Sequence, residues 1–242
     1  MSPIAIIAIV VGGILLFGGA LTWFLIWNNR NYQANKSAAL ERLAEQTAQR
    51  GWTYEERNDS YAEVYNAYHA SAPRTNPLAP HKPHAHSARD VITGTHRGRP
   101  FFVARLDVFQ PGDVQREATS SEAAPIMVRT PGPGRALSVR RAVAMQAAVN
   151  AGLGITLSTG HPEFDKQFEV HGEDEQFARA VLHPALIKFL LTDPRQPRAF
   201  WLGGGYIDAL HEMGDHIDPN NLVPALDLRC DILDRIPQQV WV

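Results

Sequence analysis

The chain opens on its longest uninterrupted apolar run. From Pro3 to Trp27 there is no charged residue, and Ile, Leu, Val, Ala and Gly dominate. As a helix rising 1.5 Å per residue, 3–27 would be roughly 37 Å long, enough for a ~30 Å hydrocarbon core with some tilt. Trp23 and Trp27 lie near its C-terminal end, where aromatic side chains favour a membrane interface. The pattern predicts a transmembrane anchor over 3–27. A cleavable signal peptide fits less well, because "MSP" carries no Lys or Arg and the run exceeds a typical signal core. Arg30, Lys36 and Arg42 follow the span, which predicts a single-pass protein of the cell membrane with its C-terminal domain on the cytoplasmic side.

Beyond the run the pattern becomes mixed. Residues 28–36 are polar and read as a juxtamembrane linker, and 37–72 as a lead-in of helix and strand. "SAALERLAEQTAQR" is helical with Gly51 as a stop, and "GWTYEER" is strand-like. Tyr61, Tyr65 and Tyr68 share one helical face, an aromatic stripe expected to serve packing. Residues 73–87 form a Pro/His-rich loop, since closely spaced prolines suit neither helix interior nor central strand. From 88 to 242 the pattern predicts a globular domain. "RDVITGTH" and "FFVARLDVF" flank a hairpin at "RGRP", and "PIMVRT" and "RALSVRR" flank a turn at "PGPG". A short helix is expected over 141–152. "FDKQFEV" reads as a strand with Phe164, Phe168 and Val170 on one side and Asp165, Glu169 and His171 on the other. "EDEQFARAVL" and "PALIKFLL" are helices, "RAFWLGG" and "GYIDALHEM" a hairpin, and "PNNLVPALDLRCDILDRI" a closing amphipathic helix with Leu226, Ile232 and Leu233 inward. Strands joined by turns, with helices grouped after them, predict an α+β fold: an N-terminal transmembrane helix followed by an antiparallel sheet packed with helices.

Composition narrows the chemistry. With 23 basic and 25 acidic residues the chain lacks the basic excess that phosphate-backbone binding needs, so a nucleic-acid partner is not expected. Cys230 is the only cysteine, which excludes an intrachain disulfide and suits an apolar filler. "HEMGDH" at 211–216 invites a zinc reading, but His211 and His216 are five residues apart. At ~100° per residue they would point about 140° apart on a helix, and Gly214 marks a turn between them. His81, His84 and His86 form the densest histidine group, on a segment with no fixed geometry of its own. Neither "PGPG" nor the glycines at 203–205 has the residues of a phosphate loop. Glu163 with Asp165, and Glu169 with His171, would share strand faces and could hold an acid–base pair, although a solvated face gives the same alternation. Arg97 and Arg99, and the group Arg135, Arg140 and Arg141, could meet an anion or an acidic partner.

"GWTY" at 51–54, "GTHRGRPF" at 94–101, "EFDKQFEV" at 163–170, "AVLHPAL" at 180–186 and "IPQQVW" at 236–241 together resemble an uncharacterised family of actinobacterial membrane-anchored proteins of unknown function. The resemblance implies a single N-terminal span and a globular body, and carries over no catalytic residue. The sequence therefore leads to a membrane-tethered binding or interaction domain, with no catalytic, cofactor-binding or metal-ligating residue assigned. Its expected partners are the membrane through 3–27 and a protein or anionic lipid. A metal-dependent hydrolase using His and carboxylate ligands, or a small-ligand or lipid carrier, are the alternatives.

Overall fold

A computed structural model describes residues 3–71, 82–112, 117–142, 156–195, 197–211 and 213–241, with side chains of the first helix from Phe17 onward except 29, 31–33 and 35. The helix expected over 141–152 falls largely on 143–155, outside the described residues, as do His81 and Glu212.

Helix α1 spans Pro3–Arg50. Its C-terminal part buries Ala39 and Leu43 in the core, while Phe17, Leu21, Trp23, Phe24, Leu25, Ile26 and Trp27 are exposed. The expected transmembrane anchor is corrected here. Among the described residues no helix is long and apolar enough to cross a membrane. The single-pass topology, the membrane and anionic-lipid partners and the cytoplasmic placement read from that span lose their basis with it.

The rest is the α+β arrangement expected, an antiparallel sheet packed with helices. The strands are β1 (Thr53–Arg57), β2 (His84–His96), β3 (Arg99–Gln110), β4 (Thr119–Ala123), β5 (Ile126–Arg129), β6 (Leu137–Arg141), β7 (Phe168–Gly172), β8 (Ala199–Gly203) and β9 (Tyr206–Leu210). They pair in the order β1-β2-β3-β5-β9-β8-β6-β7, with β4 also on β3. The remaining helices among the described residues are α2 (Ser60–Ser71), α3 (Pro162–Gln167), α4 (Glu175–Val181), α5 (Pro184–Thr192) and α6 (Pro219–Asp234), followed by a 3-10 turn at Gln238–Trp241. The "PGPG" turn does not join neighbours. The β8–β9 hairpin lies between β5 and β6, and the loop instead wraps the C-terminus, where a Cβ on Gly132 would stand 2.4 Å from the Trp241 carbonyl oxygen. "FDKQFEV" is split: Pro162 starts α3, capped by His161 accepting from the Phe164 N–H at 3.3 Å, and the strand begins only at Phe168.

Strand alternation divides the core between two faces. Phe101, Val103, Ile126, Val128, Ile207 and Ala209 join the large cluster with α1, α4, α5 and α6. On the opposite face α2 sets Tyr65 over Ala104, Leu106 and Val108, and Tyr68 over Phe102 and Met127. The tyrosine stripe thus packs, as expected for large aromatics.

The segments "GWTY" and "GTHRGRPF" are one unit in space. Trp52 lies edge-on to Phe101 at 5.0 Å between ring centroids and donates from Nε1 to the Thr95 carbonyl at 3.1 Å. Its ring occupies the space a side chain at 94 would need, since a Cβ there would fall 2.3 Å from Trp52 Cδ1. The hairpin turn has Arg97 and Gly98 at φ 50° and 76°, the signature of a type I′ turn. Gly94→Ala is therefore expected to cost about 1–3 kcal/mol by overpacking, read as a lower urea midpoint. An unchanged midpoint would mean that Trp52 does not need the bare glycine.

A cleft at the fork of the sheet

Strands β4 and β5 lie on β3 in one unbroken register, Leu106 opposite Ala123 and Val103 opposite Ile126. They are a single strand line interrupted at Ala124–Pro125, where Pro125 has no N–H to give to a ladder. Strand β9 pairs with β5 only at Val128–Ile207 and Arg129–Tyr206. Continued, that register would set Ile126 against Ala209, but there the strands part.

The Arg229 guanidinium fills the parting. From α6 its Nε donates to the Ile126 carbonyl at 2.7 Å and its Nη2 to the Ala209 carbonyl at 2.6 Å, so one side chain bridges the two strands. Nη1 donates back to the Ala225 carbonyl at 2.8 Å, and Nη2 also meets Asp208 Oδ1 at 2.7 Å. Asp208 stands on the α2 face, opposite to Ala209, so the guanidinium reaches through the sheet. Asp208 Oδ1 further accepts the Ala209 N–H at 2.7 Å. Arg229 is 3% exposed and Asp208 15%.

On the α2 side of this fork is a cleft of about 300 Å³. Tyr65 and Trp201 supply aromatic walls, Pro125, Leu210 and Met213 apolar ones, and Asp208, Arg229, His69 and His211 the polar groups. His69 packs on Tyr65 with ring centroids 4.2 Å apart. Burial pushes the imidazoles of His69 and His211 below the usual 6.5, so both are neutral at physiological pH. With Asp208 and Arg229 offsetting each other, the cleft carries no net charge.

The two histidines of "HEMGDH" diverge. His211 lines the fork cleft, whereas His216 is buried elsewhere, its Nε2 3.0 Å from the Asp90 carbonyl and its Nδ1 3.4 Å from Asp215. Asp90 sits at a β-bulge in β2 with φ 49°, and its carboxylate accepts from Tyr54 at 2.8 Å and Lys36 at 3.3 Å. Burial and that hydrogen bond push the Tyr54 phenol up. Arg105 reaches Asp215 at 3.2 Å, and Arg42 pairs with Asp218 at 2.8 Å. The hydrogen bond with His216, opposed by burial, holds Asp215 at about 2. A second cleft of about 480 Å³ adjoins this cluster, between α1 and the start of α6. Arg42 with Asp218 ties α1 to the cap of α6, and Lys36 with Asp90 ties α1 to β2.

The other sequence candidates are engaged within the fold. Arg97 pairs with Asp231 at 2.8 Å and with Asp234, and Arg99 with Asp234 at 2.6 Å, so the hairpin tip grips α6 and does not present two cations to an anion. Arg135 pairs with Asp174, Arg140 with Glu169 at 2.9 Å, and Arg141 stacks on Phe168. Glu163 and Asp165 are on a helix, not a strand. Asp165 accepts from Thr159 and Ser158; burial opposes its ionisation, and these bonds outweigh burial and hold it low. Glu169 and His171 are buried, not a solvated face. His84 and His86 lie on β2 with rings 5.1 Å apart. Cys230 is fully buried, and its thiol is pushed up by burial. No group of three His, Cys, Asp or Glu among the described residues could hold a metal ion, which overturns the metal-dependent hydrolase. Asp208, Arg229, His69 and Trp201 were not anticipated. The legible signal was Arg229 itself, a lone charge on the Leu222, Ala225, Leu226, Ile232, Leu233 stripe of α6.

The fold and this cleft define an α+β domain whose antiparallel sheet forks around a buried arginine. No family model matches the chain, and no curated protein matches it. Among solved structures, the crystal structure of the mycobacterial trehalose monomycolate transport factor A, TtfA, is similar at 13% identity, covering 81% of this chain and 91% of that chain with a TM-score of 0.45. The expectation of an actinobacterial family is met only this far. The neighbour is mycobacterial, no particular family is identified, and likeness at this level carries no argument about function.

Two measurements test the site. Arg229→Met leaves the half-buried Asp208 without its partner and takes a donor from the Ile126 and Ala209 carbonyls, and is expected to cost about 3–5 kcal/mol. Arg229→Lys keeps the charge but not the fork and should recover little of it. A loss below about 1 kcal/mol, the worth of one ordinary hydrogen bond, would show that the strands hold without the bridge. For the histidines the unfolded chain takes up protons near 6.5 before the folded one does, so stability falls as pH drops from 6.5 toward their lowered folded values. The lowered carboxylates, Asp215 and Asp231 among them, contribute above about 4 and lose that only below it. Urea unfolding should thus give a less stable protein at pH 5.5 than at pH 7.5, and His69→Phe should narrow the gap. Equal stability at the two pH values would remove the buried neutral imidazoles.

Proposed function

We propose that the chain works as a ligand-binding domain whose seat is the cleft at the fork. The observation that carries this reading is a polar pair set into an apolar cavity. Asp208 opens onto the cleft from the buried Arg229 bridge, beside its cross-strand partner Trp201. A concave, mainly apolar site with a few fixed polar groups is the usual form of a small-molecule seat. Here those groups are fixed by the same bonds that hold the sheet together, so they are preorganised before a ligand arrives. The reading needs neither a membrane span nor a metal, and so departs from the tethered domain and the hydrolase that the sequence suggested.

Ala124 lines the cleft and is exposed, so Ala124→Phe should fill the mouth without disturbing the core. In a thermal-shift screen of small uncharged aromatic and aliphatic compounds, some should raise the Tm of the wild type and not that of Ala124→Phe. Ser121→Ala, away from this cleft, serves as the control. If wild type and the filled variant respond alike to every compound, the cleft is not the seat.

A further inference from the structure

The ligand's chemistry can be narrowed on the strength of that reading. Asp208 Oδ1 takes both hydrogen bonds described for the carboxylate, from Arg229 Nη2 and from the Ala209 N–H. The second oxygen keeps its acceptor capacity, and the side chain retains 15% exposure on the cleft. A ligand that matches this site donates one hydrogen bond to the carboxylate. A cation would approach a carboxylate already offset by Arg229 and would be repelled by the guanidinium. An anion would meet the carboxylate itself. The walls favour a flat apolar body, because Tyr65 and Trp201 offer ring faces or edges and Pro125 and Met213 apolar contact. The size, about 300 Å³, suits a single substituted ring and not a long chain.

We infer that the fork cleft takes an uncharged aromatic group bearing one hydroxyl, with the hydroxyl donating to Asp208 and the ring between Tyr65 and Trp201. Such a group occurs free, as an aryl alcohol, or as the tyrosine side chain of a peptide, and the chemistry at the cleft is the same. Asp208 is then the residue that sets specificity, and the apolar walls supply sequence-independent affinity.

The test compares isosteres on the full chain. The methyl resonance of Met213, assigned by its loss in Met213→Leu, reports occupancy of the cleft in methionine-labelled protein. p-Cresol and p-xylene differ only in a hydroxyl for a methyl. Saturating shifts of Met213 are expected with p-cresol binding about tenfold tighter than p-xylene or better. Benzoate and benzylamine should both bind more weakly than p-cresol. In Asp208→Asn, which keeps the shape and an acceptor but not the charge, the preference for p-cresol should shrink several-fold. In Ala124→Phe neither compound should shift Met213. N-acetyl-tyrosinamide separates the two sources. Binding as tight as that of p-cresol points to a peptide tyrosine, and binding weaker by an order of magnitude to a free aryl alcohol; both support the class. Equal affinity for p-cresol and p-xylene in the wild type would overturn the hydroxyl preference while leaving the cleft as a seat. No shift of Met213 with either compound would overturn both. The wild-type comparison decides even if Asp208→Asn fails to fold.

Discussion

One guanidinium determines how this sheet can exist as a single object. Without Arg229, β9 and the β4–β5 line share two residue pairs, and the β1–β5 half would be joined to the β6–β9 half by little main-chain bonding. The bridge substitutes a rigid planar fork for the missing ladder. It supplies donors to two facing carbonyls at the point where Pro125 and the divergence of β9 interrupt regular pairing. A planar group with five donors in fixed directions suits that task, and a lysine ammonium does not. Burying the charge has a cost, which Asp208 and three carbonyls offset by satisfying it within the fold.

The cleft follows from the same constraint. Because the strands are held apart by a side chain and not joined by a ladder, the α2 face lacks a closed floor at this point, and the space is lined by whatever borders the fork. Packing cannot remove it without displacing the arginine. Tyr68 seals the neighbouring stretch, donating to the Trp201 carbonyl at 3.0 Å, while Tyr65 and His69, on the same helix, face the opening. Structural need and recognition therefore draw on the same residues, and disruption of the bridge would affect both.

Much of the architecture was legible in local patterns. Alternation marked β2, β3, β8 and β9, and Pro184 and the acidic start of "EDEQFARAVL" marked α5 and α4, where Asp174 indeed accepts from the Phe177 N–H at 2.7 Å. What local pattern does not encode is which strand lies beside which. "PIMVRT" and "RALSVRR" read as neighbours across a turn, yet a hairpin formed some seventy residues later sits between them. "FDKQFEV" reads as one strand because Phe164, Phe168 and Val170 fit a single side; Pro162 and the His161 cap decide for a helical turn first. The arginines misled in the same way. Arg97 and Arg99 on an exposed turn look available until α6 brings Asp231 and Asp234 beneath them. The apolar N-terminal run was the strongest single pattern and gave the reading that the structure corrected.

"HEMGDH" condenses the point. Its spacing excluded a shared metal on a helix, but the reason for two histidines there lay in three dimensions. The segment leaves β9 at the fork, where His211 borders the cleft, and arrives at α6 through Asp215 and His216, which engage Arg105 and the bulged Asp90. Asp90 holds a backbone conformation that non-glycine residues seldom adopt, and its partners come from several elements: Lys36 from α1, Tyr54 from β1, Arg105 from β3 and His216 from this connection. Asp215 and His216 thus tie the approach to α6 to the same bulge that α1 and β1 hold.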